Sequence, residues 1–91
     1  MAKRTDNNHG DIVDVLRRMG AFVCSLHTVG RGCPDLLIGY RGKWRVAEIK
    51  NGKLGWRLTP AQKKFRATCN ANVTILDSVE TAVAWLGGGN A

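Results

Sequence analysis

The chain has 91 residues, enough for one small domain and too few for two independent cores. With 44% hydrophobic and 23% charged residues it is neither a disordered polymer nor a membrane protein by composition, and no apolar run approaches the ~20 residues that span a bilayer. Lys and Arg number 14 against 7 Asp and Glu, a net charge of +7, so the natural partner is a polyanion; the bland alternative is surface charge that serves solubility.

The start, Met1 to Asn8, carries basic residues with no apolar region behind them, which does not read as a secretory signal and predicts a cytoplasmic protein. From about Asn8 to Met19, Ile12, Val15, Leu16 and Met19 recur at helical spacing until Gly20. Ala21 to Leu26 reads as a short apolar strand, followed by a loop from His27 to Pro34 with two glycines and a proline. Asp35 to Tyr40 and Lys43 to Lys50 flank Arg41-Gly42 as the two arms of a hairpin. Asn51 to Leu58 is a basic, glycine-punctuated loop.

Thr59-Pro60-Ala61-Gln62 is a helix start with Thr59 as cap, and that helix runs to about Asn70 with Ala61, Phe65 and Cys69 as its buried side. Val73 to Leu76 is a strand. Ser78 caps a last helix whose Val79, Ala82, Val83 and Leu86 form an apolar stripe ahead of Gly87-Gly88-Gly89. The order α-β-β-β-α-β-α predicts a single α/β domain over 1–91, with a mixed sheet flanked by helices. The helical crossover predicts parallel pairing of the third and fourth strands. Cys24, Cys33 and Cys69 form no C-x-x-C pair and read as reduced thiols. Trp85 reads as core or interface, and His27 as a solvated or hydrogen-bonded histidine.

Chemistry concentrates on the hairpin. Glu48 and Lys50 lie two apart on one strand and share a face. With a two-residue turn at Arg41-Gly42, Asp35 lies opposite Glu48; with a four-residue loop it lies opposite Lys50; a three-residue loop without a bulge puts it on the other face. Two carboxylates and a lysine on one face suit metal-assisted phosphodiester hydrolysis, in which a hard cation clamps a phosphate oxygen and acidifies a bound water. The structural alternative is a cross-strand salt bridge from Lys50 to Asp35 or Glu48.

The runs Gly32-Cys33-Pro34-Asp35-Leu36-Leu37, Glu48-Ile49-Lys50-Asn51-Gly52 and Leu58-Thr59-Pro60-Ala61-Gln62 together resemble the VRR-NUC branch of the PD-(D/E)xK nuclease superfamily, in its minimal stand-alone form from phages and bacteria. The resemblance spans the first helix to the last strand. It implies a restriction-endonuclease-like core and a Mg²⁺ or Mn²⁺ dependent DNA endonuclease. Asp35 and Glu48 would be metal ligands, joined by the backbone carbonyl of Ile49, with Lys50 the catalytic lysine and Gln62 facing the site from the second helix. A capping-box role for Gln62 is equally supported by the sequence. The superfamily tends to place an acid on the first helix; here Asp11 is the candidate metal ligand, although Asn8 and His9 lie nearer the apolar face and Asp14 points away. Asp11 also suits the helix dipole alone.

Arg31, Lys53, Trp56, Arg57, Lys63, Lys64 and Arg66 surround these residues in sequence and are candidate DNA contacts, with Trp56 or Trp44 a stacking surface. Individually each cation also reads as an ordinary solvated side chain. The resemblance further implies a homodimer that cuts branched DNA in the manner of Holliday-junction resolvases. The alternatives are a nicking or double-strand endonuclease without structure preference, and a non-catalytic basic nucleic-acid-binding module.

Overall fold

The computed structural model of the chain describes residues 8–88, so the basic start before Asn8 and Gly89 lie outside the described residues. The hairpin organises the rest. β2 (Leu36–Tyr40) and β3 (Lys43–Ile49) pair antiparallel from Tyr40↔Lys43 to Leu36↔Ala47, which leaves Arg41-Gly42 as the two-residue turn. Both turn residues have positive φ, 51° at Arg41 and 81° at Gly42, the pair that a type I′ turn needs to match the strand twist. β1 (Phe22–Ser25) adds antiparallel to β2, and β4 (Thr74–Leu76) adds parallel to β3, so the order is β1-β2-β3-β4 and the sheet is mixed, as the crossover predicts.

Among the described residues there are three α-helices, α1 (His9–Arg18), α2 (Pro60–Cys69) and α3 (Val79–Gly87), with a 3₁₀ turn at Gly52–Leu54. Ile12 and Leu16 of α1 and Ala82 and Leu86 of α3 bury themselves against Val23, Leu36, Ile38, Ala47, Ile49 and Leu76. These sheet residues share one face, because side chains alternate along each strand. Trp85 packs at the rim of this core, with the Arg45 guanidinium 5.4 Å from its ring centre. Among the described residues no helix is long and apolar enough to cross a membrane.

The second helix departs from expectation. No residue of α2 is fully buried; Ala61 and Cys69 are exposed, and the half-buried positions are Gln62, Phe65 and Arg66. Its inward stripe is therefore rotated toward polar side chains. Two contacts fix that rotation: the hydrogen bonds from the Gln62 amide to Glu48 and Lys50, and the loop at Gly32 (φ 78°), where a Cβ would intrude on the backbone of Ala61 and Gln62. Val83 is likewise a marginal member of its stripe, 39% exposed.

This asymmetry predicts unequal mutational costs. Leu16→Ala empties a fully buried position and should cost about 2–5 kcal/mol in urea unfolding. Phe65→Ala, at a half-buried position of α2, should fall below that range. Equal costs would show α2 to be part of the core.

Candidate active site

Asp35 sits one residue before β2, so the register that pairs Leu36 with Ala47 sets it opposite Glu48. The backbone ladder ends there and the side chain continues it: Oδ2 accepts a hydrogen bond of 2.8 Å from the Ile49 N–H. In an extended residue the N–H and C=O face the same neighbour, so the Ile49 carbonyl lies on the edge that meets Asp35. Glu48 and Lys50 point to the sheet face away from α1 and α3. The Lys50 N–H bonds the Leu76 carbonyl at 3.0 Å, which continues the parallel pairing one step beyond β3.

Gln62 joins these groups. Its Nε2 donates to Glu48 Oε2 at 2.8 Å, while its Oε1 accepts from Lys50 Nζ at 2.8 Å and from the Thr59 N–H at 2.9 Å. The capping role and the site-facing role thus coexist in one side chain. The cross-strand salt bridge is not formed: among the described residues the single ion pair is Asp14–Arg18 at 4.0 Å, and Lys50 spends its reach on Gln62.

Glu48 is the one buried charged side chain among the described residues, 5% exposed. Burial in the first place, then repulsion by Asp35 and a hydrogen bond from the neutral acid to Asp35, push its pKa from the ordinary 4.5 to about 8 against the pull of Lys50 and Arg66. The neighbouring Cys33 thiol is pushed up by burial and by the same two carboxylates.

Asp35, Glu48, Lys50 and Gln62 therefore converge as the sequence predicts, but Asp11 does not join them. It is exposed and lines a separate cavity with Asn8, Asp77 and Glu80. The reason is sidedness: α1 packs on the face opposite Glu48. The first-helix residue that reaches the end of β3 is Asn8, whose Nδ2 donates to the carbonyls of Lys50 (2.9 Å) and Asp77 (3.0 Å).

Among the basic candidates, Arg31, Arg57, Lys63 and Lys64 are exposed. Lys53 lines the Asp11 cavity, and the Trp56 indole N–H donates to Asp77 at 3.3 Å, so both belong to that side. Arg66 is not a free cation: its guanidinium donates to the Val73 carbonyl at 2.7 Å and lies near enough to Glu48 to favour its ionised form. The sequence names Arg66 as a candidate DNA contact but not as a neighbour of Glu48, and it assigns Cys33 no place beside the carboxylates. For Cys33 the adjacency to Pro34-Asp35 was the available signal.

Among the described residues no three His, Cys, Asp or Glu side chains gather as a metal-holding group. The donor set on offer is two carboxylates and the Ile49 carbonyl, all oxygen, which suits a hard divalent cation. The buried negative charge that Glu48 resists carrying is what such a cation would neutralise. No family model, curated protein or solved structure matches this chain.

A raised carboxyl pKa contributes stability that is full below about 4.5 and is lost as pH rises through about 8, because ionisation in place is costly. Wild-type stability should fall across that window by on the order of 1 kcal/mol per pH unit, and Glu48→Gln should flatten the slope. Parallel pH profiles of the two in thermal melts would refute the burial argument.

Proposed function

We propose that this chain is a metal-dependent deoxyribonuclease that hydrolyses phosphodiester bonds, a minimal VRR-NUC-type member of the PD-(D/E)xK superfamily. The observation that carries the reading is the four-residue convergence, with Asp35 opposite Glu48 and with Glu48 and Lys50 on one Gln62 amide. The element order α-β-β-β-α-β and the parallel fourth strand support the restriction-endonuclease-like core. The net charge of +7 supports a nucleic-acid substrate.

In this reading Asp35, Glu48 and the Ile49 carbonyl would hold Mg²⁺ or Mn²⁺, which when bound would supply Lewis acidity toward a phosphate oxygen and acidify the attacking water. Lys50 contributes a fixed ammonium, which orients the attacking water or offsets the charge that builds on the phosphate in the transition state. Gln62 keeps that ammonium beside Glu48 and takes up the one carboxylate oxygen it bonds. Asp35 is braced by the Ile49 N–H, so it is positioned before any ligand arrives. Hydrolysis is direct, with no covalent enzyme intermediate. A homodimer would place two such sites for symmetric cuts in branched DNA.

The test is cleavage of labelled four-way junction, flap and linear duplex DNA with Mg²⁺, Mn²⁺ or EDTA. Cutting should require metal, and Lys50→Ala should lose at least about a hundredfold in rate while keeping its fold. Cutting in EDTA, or an unimpaired Lys50→Ala, would overturn the assignment. Because a cation must displace the Glu48 proton, calorimetric Mg²⁺ affinity should rise with pH up to about 8 and level off above it. A pH-independent affinity would place the metal elsewhere.

A further inference from the structure

The sheet face that bears Glu48 carries a second feature at its far end. Trp44, Val46 and Glu48 alternate to this face, which puts Trp44 roughly 13 Å along the strand from Glu48 at about 3.3 Å per residue. Phe22, Gly39 and Trp44 occupy one row of paired positions across β1, β2 and β3. Gly39 has no side chain to fill its place in the row, and the six-membered ring of Trp44 lies there instead: a Cβ on Gly39 would come within 3.1 Å of it. Phe22 stands edge-on to that ring, with centroids 6.1 Å apart and planes at 81°. Both rings face solvent, Trp44 67% and Phe22 58% exposed.

The surroundings of these rings are cationic. Arg41 and Lys43 stand at the turn end of the row and line a cavity there with Phe22 and Trp44, although Tyr40 and Lys43 alternate to the opposite face of the sheet. The sequence has no carboxylate between Asp14 and Asp35, nor between Asp35 and Glu48, so the strands and turn that carry the rings hold none short of the catalytic cluster. A second copy of the chain docked on this row would bring up the same carboxylate-free, cationic surface, with no opposite charge to meet Arg41 and Lys43. A polyanion whose bases offer flat π faces satisfies both the rings and the cations.

We propose that Trp44 and Phe22 form a stacking platform for an unpaired nucleobase, with Arg41 and Lys43 holding the adjoining phosphates. A single strand laid from this platform along the face leads to Asp35, Glu48 and Lys50, so the substrate class is DNA with an unpaired segment beside the cut. That last step rests on the nuclease reading; the platform itself does not.

The test measures binding by fluorescence anisotropy in EDTA, over a range of KCl, of a labelled thymidine oligomer and a blunt duplex of the same length to the whole chain. Trp44→Ala should weaken the oligomer by about tenfold, with duplex binding and the salt slope unchanged. Trp44→Phe should recover most of the loss. Lys43→Ala should weaken both DNAs and reduce the salt slope by about one. Circular dichroism melts confirm that each variant is folded. The proposal falls if Trp44→Ala binds the oligomer like wild type, if both DNAs weaken together, or if its only effect is to dissociate a dimer in sedimentation, which would assign the face to a second copy. A platform that behaves as expected in a chain that never cuts DNA would remove the nuclease reading alone.

Discussion

One side-chain amide, that of Gln62, holds together the parts of this molecule that have no other reason to meet. It bonds the buried carboxylate of Glu48 through its nitrogen, and the Lys50 ammonium and the Thr59 backbone through its oxygen. The sheet supplies the carboxylate and the lysine; α2 supplies the amide. Without that link the helix would have little to orient it, because its inward face offers Gln62 and Arg66 rather than a run of large apolar residues. The orientation is reinforced from the other side by Gly32, whose bare Cα lets the preceding loop lie directly on the first turn of α2.

The site so assembled is electrostatically unsatisfied, and its neighbours share the cost. A carboxylate 5% exposed and opposite a second carboxylate resists ionisation, and Lys50 and Arg66 only partly offset that. Neither cation forms an ion pair with it. Lys50 is held at Gln62, and Arg66 is held at the Val73 carbonyl, so both act on Glu48 through space while their hydrogen bonds are made elsewhere. Such an arrangement leaves the facing carboxylate oxygens sharing a proton rather than closed in a salt bridge, and a cation would compete with that proton.

Much of this was legible in the sequence, and for definite reasons. Arg41-Gly42 announces a tight turn; its parity puts Asp35 on the face of Glu48 and Lys50, and its two-residue length sets Asp35 opposite Glu48. The Thr59-Pro60-Ala61-Gln62 start was legible because a capping box is a local device, complete within four residues. The misreadings are all matters of tertiary placement. Helical phase ranks Asp11 against its neighbours on α1 but is silent about which side of the sheet the helix covers. The apolar spacing of Ala61, Phe65 and Cys69 predicts a buried stripe, whereas the Gln62 bonds to the sheet and the Gly32 loop turn the helix toward Gln62 and Arg66. Arg66 reads from sequence as a DNA contact or a solvated cation, because its acceptor, the Val73 carbonyl, comes within reach only through the tertiary fold.

The fact that α2 buries no residue fully also bears on how the chain moves. Asp35, Glu48 and Lys50 stand on or beside the hairpin, whose opposite face is sealed by α1 and α3, which ties them to the best-buried part of the domain. Gln62 rides on an element held by its cap, a loop contact and half-buried side chains, which belongs to the low end of the range of local opening free energies. The two halves of the site therefore sit on different rungs of the exchange-protection ladder. The carboxylates and the lysine thus stand with the buried core, while the amide that completes them stands on a surface helix tied to them chiefly by its own hydrogen bonds.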